Sequence, residues 1–297
     1  MVFLARLILK GPSQAALVAA TLAMLGVLFA PAIWLSAAAI AFVALIKDSR
    51  QALVVMSVAT AGTMLFAGLI FSAPSMVIYF LLMAWLPAWI AASVLRTMSL
   101  TASLQVIAGL SMAAIVGLYA FFPGMGEIWR ETLDLLVQQV LEQSQGELSL
   151  AVLQEVEEMA IRMIPGFLAA SVLFGTMISL FLARWWQSVI LNPGGFAMEF
   201  QALNLGKTVA VVATIVVITT VLAGSESWYA MLLIVMALYT AQGMSILHAV
   251  FKGRQLNRAW LYLIYLVMFF LPEVAAMLIL VGIADAWIDF RGRLITV

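Results

Sequence analysis

The sequence predicts an all-α fold, a polytopic bundle of eight or nine transmembrane helices with an amphipathic helical hairpin outside the membrane. Of its 297 residues, 66% are apolar and only 9% are charged, whereas soluble domains are about 45–50% apolar and about 25% charged. The mean hydropathy is +1.16. The apolar runs lack the alternation of barrel strands, and only helices or closed barrels cross a bilayer. We therefore treat residues 1–297 as a single integral membrane domain.

Nine apolar runs approach the roughly 20 residues that a helix needs to cross a bilayer. The first two share one stretch of 32 residues, 15–46, that Pro31 divides. Proline is tolerated in the first turn of a helix and breaks its interior, so we expect a tight hairpin there. One long kinked crossing and a cleaved signal peptide are the alternatives. The predicted spans are Ala15–Ala30, Pro31–Ile46, Leu53–Ala73, Ser75–Leu95, Thr101–Phe122, Ile164–Ala183, Thr208–Ala223, Trp228–Val250 and Trp260–Ala284.

The charges of the loops predict the orientation, because cytoplasmic loops carry an excess of Lys and Arg. With the N-terminus in the cytoplasm, ten basic residues fall inside and only Arg130 and Arg162 fall outside. The charge of the C-terminal tail does not predict its side of the membrane, because Asp285 and Asp289 balance Arg291 and Arg293. Eight spans, with the C-terminus inside, are therefore the alternative to nine spans.

The long outer segment, 123–163, is predicted to be an extracytoplasmic hairpin. Apolar residues recur at helical spacing in Glu127–Gln145 and in Glu147–Arg162, and Gly146 separates the two stretches. This pattern is typical of two amphipathic helices joined by a short turn. Eight acidic residues and two basic ones make the segment acidic. It is either a cap or docking surface, or an acidic exterior without a partner.

The inner segment, 184–207, is predicted to be a cytoplasmic interfacial loop. Trp185 and Trp186 are of the type that gathers at membrane interfaces. Asn192–Gly195 is a turn sequence, and Phe196–Leu203 follows it as a short surface helix. The two glycines before that helix suggest an anion site only weakly.

Composition and motifs argue against an enzyme. A net charge of zero excludes the basic footprint of a nucleic-acid binder. The absence of cysteine excludes disulfides and thiolate sites, and a single histidine, His248, excludes a multi-histidine metal site. Asp285 and Asp289 lie one turn apart, whereas an aspartyl dyad shares a proton between two carboxylates brought face to face. We expect no catalytic residues, no metal and no cofactor, with His248 at the interface near Lys252.

Glu273 is the most informative residue of the apolar runs. It follows Pro272 and would lie about 20 Å from the inner end of its span. A charge at that depth costs at least about 2.5–3.5 kcal/mol, so Glu273 must face the bundle, face water or be protonated. We expect it to contact a solute or cation in a cavity shared with Tyr265 and Gln242. The alternative is a protonated carboxyl bonded to a carbonyl that the Pro272 kink frees.

Small residues repeat every four positions on three helices. This spacing lets membrane helices approach closely. We expect these stripes to build the bundle, with docking onto a separate membrane protein as the alternative. The stripes are Ala15, Ala19 and Ala23; Gly109, Ala113 and Gly117; and Ser171, Gly175, Ser179 and Ala183.

Three segments give the chain a family resemblance. They are Asn192–Phe196 with Glu199 and Phe200, then Gly243–His248, and then Pro272–Asp285 with Asp289, Phe290 and Arg291. With the hydropathy profile, they resemble the YybS-like family of uncharacterised bacterial polytopic membrane proteins. The resemblance implies a multi-pass protein of the bacterial cytoplasmic (inner) membrane.

The same resemblance implies a distant similarity in fold to the substrate-binding subunits of energy-coupling-factor transporters. Those subunits bind a small solute and dock through small-residue helix faces. This chain has more spans and a long acidic hairpin, so no site residue is transferred from them. Two functional hypotheses follow: a non-enzymatic component that binds or transports a small solute, or a scaffold that docks a membrane-protein partner in the lipid bilayer.

Overall fold

The computed structural model describes residues 2–122, 127–143, 149–288 and 290. All regular structure in these residues is helical, in thirteen helices. The helices are α1 (Val2–Ile8), α2 (Pro12–Leu28), α3 (Pro31–Ile46), α4 (Ser49–Phe71), α5 (Met76–Thr97), α6 (Leu100–Phe121), α7 (Glu127–Gln143), α8 (Leu150–Leu191), α9 (Gly195–Gln201), α10 (Gly206–Ala223), α11 (Glu226–Gly253), α12 (Ala259–Phe270) and α13 (Pro272–Ile288).

Six of the described helices are long and apolar enough to cross a membrane: α4, α5, α6, α8, α10 and α11. The pair α12 and α13 would make a seventh crossing, although the chain bends by 114° between them. Helices α2 and α3, with 17 and 16 residues, are apolar but shorter. The predicted all-α fold with several apolar, membrane-length helices is confirmed. The count of eight or nine spans stays a prediction, because it requires these short or bent helices to cross.

Helices α2 and α3 form an antiparallel hairpin, as expected from Pro31. The Ser36 hydroxyl donates to the Ala19 carbonyl at 2.6 Å, and a methyl group on Gly26 would lie 2.3 Å from Ile33 Cγ1. Every residue of α3 from 36 to 45 is buried. Five alanines in this stretch leave room for neighbouring helices, so α3 lies at the centre of the bundle between α2, α4, α5 and α8.

Two of the small-residue stripes lie in helix contacts. On α8, a methyl group on Gly175 would lie 2.7 Å from Trp34 Nε1, and the Ser179 hydroxyl donates to the Trp34 carbonyl at 3.0 Å. Ala183 is also buried, whereas Ser171 is exposed. The stripe on α2 is buried as well, at Ala15, Ala19 and Ala23.

The stripe on α6 has a different environment. Gly109 and Ala113 are exposed, and Gly117 is half-buried. A methyl group on Gly109 or Gly117 would meet no atom of the described residues within 4 Å. This stripe therefore does not pack against the bundle as expected, and it leaves an open face on α6.

The expected layout of the outer and inner segments is wrong, because α8 includes part of each. Helix α8 runs for 42 residues without a break, so residues 150–162 form its first part and are not a separate helix. At 1.5 Å per residue it is about 63 Å long, twice the hydrocarbon core of a bilayer. At its other end, α8 continues to Leu191, and Trp186 is buried against Phe42 instead of lying in an interfacial belt.

The hairpin partner of α8 is α7. Arg130 on α7 forms an ion pair with Glu158 on α8 at 2.8 Å. Gly146, where the turn of this hairpin was expected, lies outside the described residues. Pro165 lies inside α8 and is buried, and a methyl group on Gly166 would lie 2.6 Å from Ala230 Cα. The close contact with α11 shows how tightly α8 is held just after the proline.

Helices α11 and α13 cross at two glycines. A methyl group on Gly243 would lie 2.2 Å from the Leu278 carbonyl oxygen, and one on Gly282 would lie 2.9 Å from the Tyr239 carbonyl oxygen. Both neighbours are backbone atoms, so no rotation of a side chain relieves the overlap. The close approach of the two helices therefore requires glycine at both positions.

We expect Gly243→Ala to lower the free energy of unfolding by about 1–3 kcal/mol, since the added methyl group pushes α11 and α13 apart. The matched control is Gly109→Ala, where the methyl group enters open space. This variant should be neutral or gain up to about 1 kcal/mol from helix propensity. Unfolding in detergent micelles measures both values, and equal effects of the two substitutions would contradict the crossing.

Candidate functional site

The Leu203–Leu205 linker joins α9 to α10 and is not helical; its two leucines are buried and Asn204 between them is exposed. Leu203 and Leu205 are 1% and 0% exposed. A buried backbone N–H or C=O group needs a hydrogen-bond partner. Gln242 Oε1 accepts from the Leu205 N–H at 2.9 Å, and Gln105 Nε2 donates to the Leu205 carbonyl at 3.0 Å. The Ser245 hydroxyl donates to the Leu203 carbonyl at 3.3 Å.

Gln242 also ties α11 to α13. Its Nε2 donates to the Gly282 carbonyl at 2.9 Å and lies 3.5 Å from Asp285 Oδ2. Gln242 is fully buried and Asp285 is 2% exposed. The side-chain oxygen and nitrogen of Gln242 thus both bind groups inside the protein. Its geometry is that of a residue that positions the linker and α13.

His248 lies nearer the end of α11, where it binds α12. Its Nε2 and the Tyr265 hydroxyl share a short hydrogen bond. The Phe200 ring of α9 packs edge-on against the His248 ring, with centroids 5.7 Å apart. Phe181 and Phe196 extend this aromatic cluster, because each of their rings contacts Phe200. His248 therefore joins α9 to α12. Leu261 is the only residue of α12 that is buried.

A cavity of about 740 Å³ opens between α9, the end of α11 and α12. This α9–α11–α12 cavity is comparable in size to ligand pockets, which span roughly 300–1,000 Å³. Its lining includes two basic residues, Lys252 and Arg258, and no acidic residue. The acid of α9, Glu199, instead pairs with Arg184 at 2.7 Å. The other lining residues are Pro193, Gly194, Ala197, Met198, Gln201, His248, Phe251, Gln255, Leu256, Leu261, Tyr262 and Tyr265.

Glu273 lies at the start of α13 and is exposed. The expected depth of about 20 Å assumed one straight span, and the 114° bend before Pro272 removes that assumption. Helix α13 runs antiparallel to α11, with Leu278 beside Gly243 and Gly282 beside Tyr239. The five residues from Leu278 back to Glu273 cover about 7.5 Å towards the end of α11 that carries His248. Glu273 therefore does not lie in the middle of the bundle.

The three segments that carry the family resemblance meet in this region. Phe200 of the first packs on His248 of the second, and Gly243 of the second packs on Leu278 of the third. A family profile described as predicted membrane protein (DUF2232) matches residues 14–286. The chain belongs to the DUF2232 family. Searches of curated proteins and of solved structures found no match.

The match to DUF2232 covers every residue of the candidate site. Of the three solute contacts predicted from the sequence, Tyr265 lines the α9–α11–α12 cavity. Gln242 and Glu273 do not line this cavity, so the structure does not bring the three residues together there. The described residues also contain no group of three or more His, Asp or Glu side chains that could hold a metal ion.

Three features of this DUF2232 site are not predicted by the sequence pattern. The threefold spacing of Gln242, Ser245 and His248 marks one polar row on α11. It does not indicate that two of these residues hold a linker and the third holds a helix. Nothing in the pattern of apolar residues places Lys252 and Arg258 at one cavity, because a loop separates them.

We expect Gln242→Leu to destabilise this DUF2232 protein, because the Leu205 N–H would lose its buried partner, whereas the Gly282 carbonyl keeps the backbone bond of its own helix. An unsatisfied buried N–H costs about 1–3 kcal/mol, so the loss should be of that size. The matched control, Gln139→Leu on the exposed face of α7, should stay within about 0.5 kcal/mol. Thermal unfolding in detergent gives both values, and an unchanged melting temperature for Gln242→Leu would refute the role of this residue.

Proposed function

We propose that this protein is a non-enzymatic component of the bacterial cytoplasmic membrane that binds or transports a small solute, with the α9–α11–α12 cavity as its binding site. The observation that carries the proposal is the cavity of about 740 Å³ with His248 and Tyr265 in its wall. Solute sites combine mainly apolar walls with a few fixed polar groups. Here the His248–Tyr265 hydrogen bond and the packing of Phe200 hold those polar groups in place.

The charges support a cytoplasmic position for this cavity. With the N-terminus inside, Lys252 and Arg258 fall on the cytoplasmic side, where basic residues are enriched. Trp260 and Tyr262 are exposed on α12 and suit a helix that lies along the interface. In this arrangement α13 is the last crossing, and α2 and α3 complete a count of nine.

The family resemblance supports the same class of function. Through the YybS-like resemblance, the distant similarity in fold to substrate-binding subunits of energy-coupling-factor transporters favours a protein that binds a solute without transforming it. Residues of the first two resembling segments line the cavity, and the third segment packs on the second, which agrees with a shared role for them.

A fluorescent reporter in the cavity tests the proposal. The chain has no cysteine, so Ala197→Cys gives one labelling site in the cavity wall. We expect a class of small solutes to change the fluorescence at this site and to raise the melting temperature. Tyr265→Phe removes a hydrogen bond of about 1 kcal/mol from the wall and should weaken binding about fivefold.

The same label at Met64→Cys, on an exposed position of α4, is the control and should not respond. The proposal fails if no solute changes the Ala197 reporter or the melting temperature in a broad panel. It also fails if the solutes that do respond bind equally well after His248→Ala and Tyr265→Phe.

A scaffold is the second candidate, because α6 has an open stripe of small residues. Beside this stripe, an apolar groove of about 540 Å³ runs between α5, α6, α7 and α8. A membrane helix could approach Gly109 and Gly117 closely, since no described atom covers them. This candidate requires a co-purifying membrane protein that Gly109→Leu releases, and isolation as a lone monomer in mild detergent would contradict it.

A further inference from the structure

We infer that the α9–α11–α12 cavity binds an amphiphile whose phosphate headgroup carries a net negative charge, with the phosphate between Lys252 and Arg258 and the apolar part along α12. The inference rests on the proposed function and names the ligand class of the same site. It follows from the charge of the lining, from its polar groups and from the apolar surface beside it.

The charge of the lining favours an anion. Lys252 and Arg258 are exposed at the cavity, and neither forms an ion pair with a carboxylate among the described residues. Glu199 on the neighbouring α9 is engaged by Arg184. An ammonium group binds phosphate as a point charge and a guanidinium binds it through two parallel hydrogen bonds, so the pair suits a phosphate.

Further polar groups suit the oxygens around a phosphate. Gln255 and Tyr262 line the same cavity as the two basic residues. Both side chains donate and accept hydrogen bonds, so they can bind ester oxygens or hydroxyl groups next to the phosphate. His248 and Tyr265 line the cavity as well and are hydrogen-bonded to each other.

The apolar surface beside the cavity distinguishes an amphiphile from a free anion. Phe251, Leu256 and Leu261 form apolar parts of the lining. Helix α12 also exposes large apolar side chains, among them Leu266 at 56% and Phe269 at 83%. A soluble phosphate ester would leave this surface unused, whereas an acyl chain would cover it. Anionic lipids of the cytoplasmic leaflet combine both parts and attract basic residues near the membrane surface.

The test uses the full chain in detergent with the label at Ala197→Cys and three probes. The probes are short-chain phosphatidylglycerol, short-chain phosphatidylcholine and glycerol 1-phosphate. They separate an anionic amphiphile from a zwitterionic one and from a free phosphate ester. We expect phosphatidylglycerol to bind about tenfold or more tightly than either of the others, since each basic residue contributes about 1 kcal/mol towards an anionic lipid.

The variant Lys252→Gln/Arg258→Gln should weaken phosphatidylglycerol binding by about tenfold to thirtyfold, because two such contributions are lost. Arg50→Gln/Lys207→Gln is the matched control. It removes the same charge at exposed positions that do not line the cavity, so affinity should be unchanged. All four positions are exposed, and an unchanged melting temperature without ligand shows that each double variant folds.

Equal binding of phosphatidylcholine and phosphatidylglycerol would overturn the inference, as would full affinity in the Lys252/Arg258 variant. Equal binding of glycerol 1-phosphate would also overturn it, by showing that the ligand is a free phosphate ester. If only a neutral solute moves the reporter, the inference fails while the proposed function stands. If no solute or lipid moves it, both fail.

Discussion

The hydrogen bonding of the two buried leucines of the Leu203–Leu205 linker is the constraint on which the rest of the site depends. Among the buried backbone groups of this segment, the Leu203 N–H binds locally to the Phe200 carbonyl, but both carbonyls and the Leu205 N–H need partners from elsewhere, and an apolar bundle holds little water to supply them. Gln105, Gln242 and Ser245 supply the partners from α6 and α11. The linker is thereby fixed against α11, and α9, which precedes it, brings Phe200 to His248.

Gln242 extends the same constraint to α13. By donating to the Gly282 carbonyl, it holds α13 where Gly243 and Gly282 allow two backbones to meet. The chain turns by 114° before Pro272, so α12 leaves the bundle while α13 packs within it. Only a few contacts, the His248–Tyr265 hydrogen bond among them, then connect α12 to α11, and the cavity is the space that remains between them.

The hydropathy pattern was enough to predict the helices and the α2–α3 hairpin, because span length and a proline are local properties of the chain. The hydropathy pattern was not enough where contacts between helices determine the structure, for example whether a helix continues through a proline. Pro165 lies within a continuous α8 that packs closely on α11, whereas the chain breaks at Pro272. The two prolines look alike in sequence, so the expected depth of Glu273 did not hold. Gln242 and Tyr265 were singled out as polar residues in apolar runs, but their separate roles depend on which helices meet.

Hydrogen–deuterium exchange of the Leu203–Leu205 linker in lipid nanodiscs tests the central claim most directly. If side chains of α6 and α11 bind its backbone, the Leu205 amide should exchange as slowly as the α11 amides around Gln242. It should also exchange far more slowly than the exposed turn at Gly194. Exchange of the Leu205 amide as fast as that of Gly194 would contradict the account, because the segment that positions α9 would then be open to water.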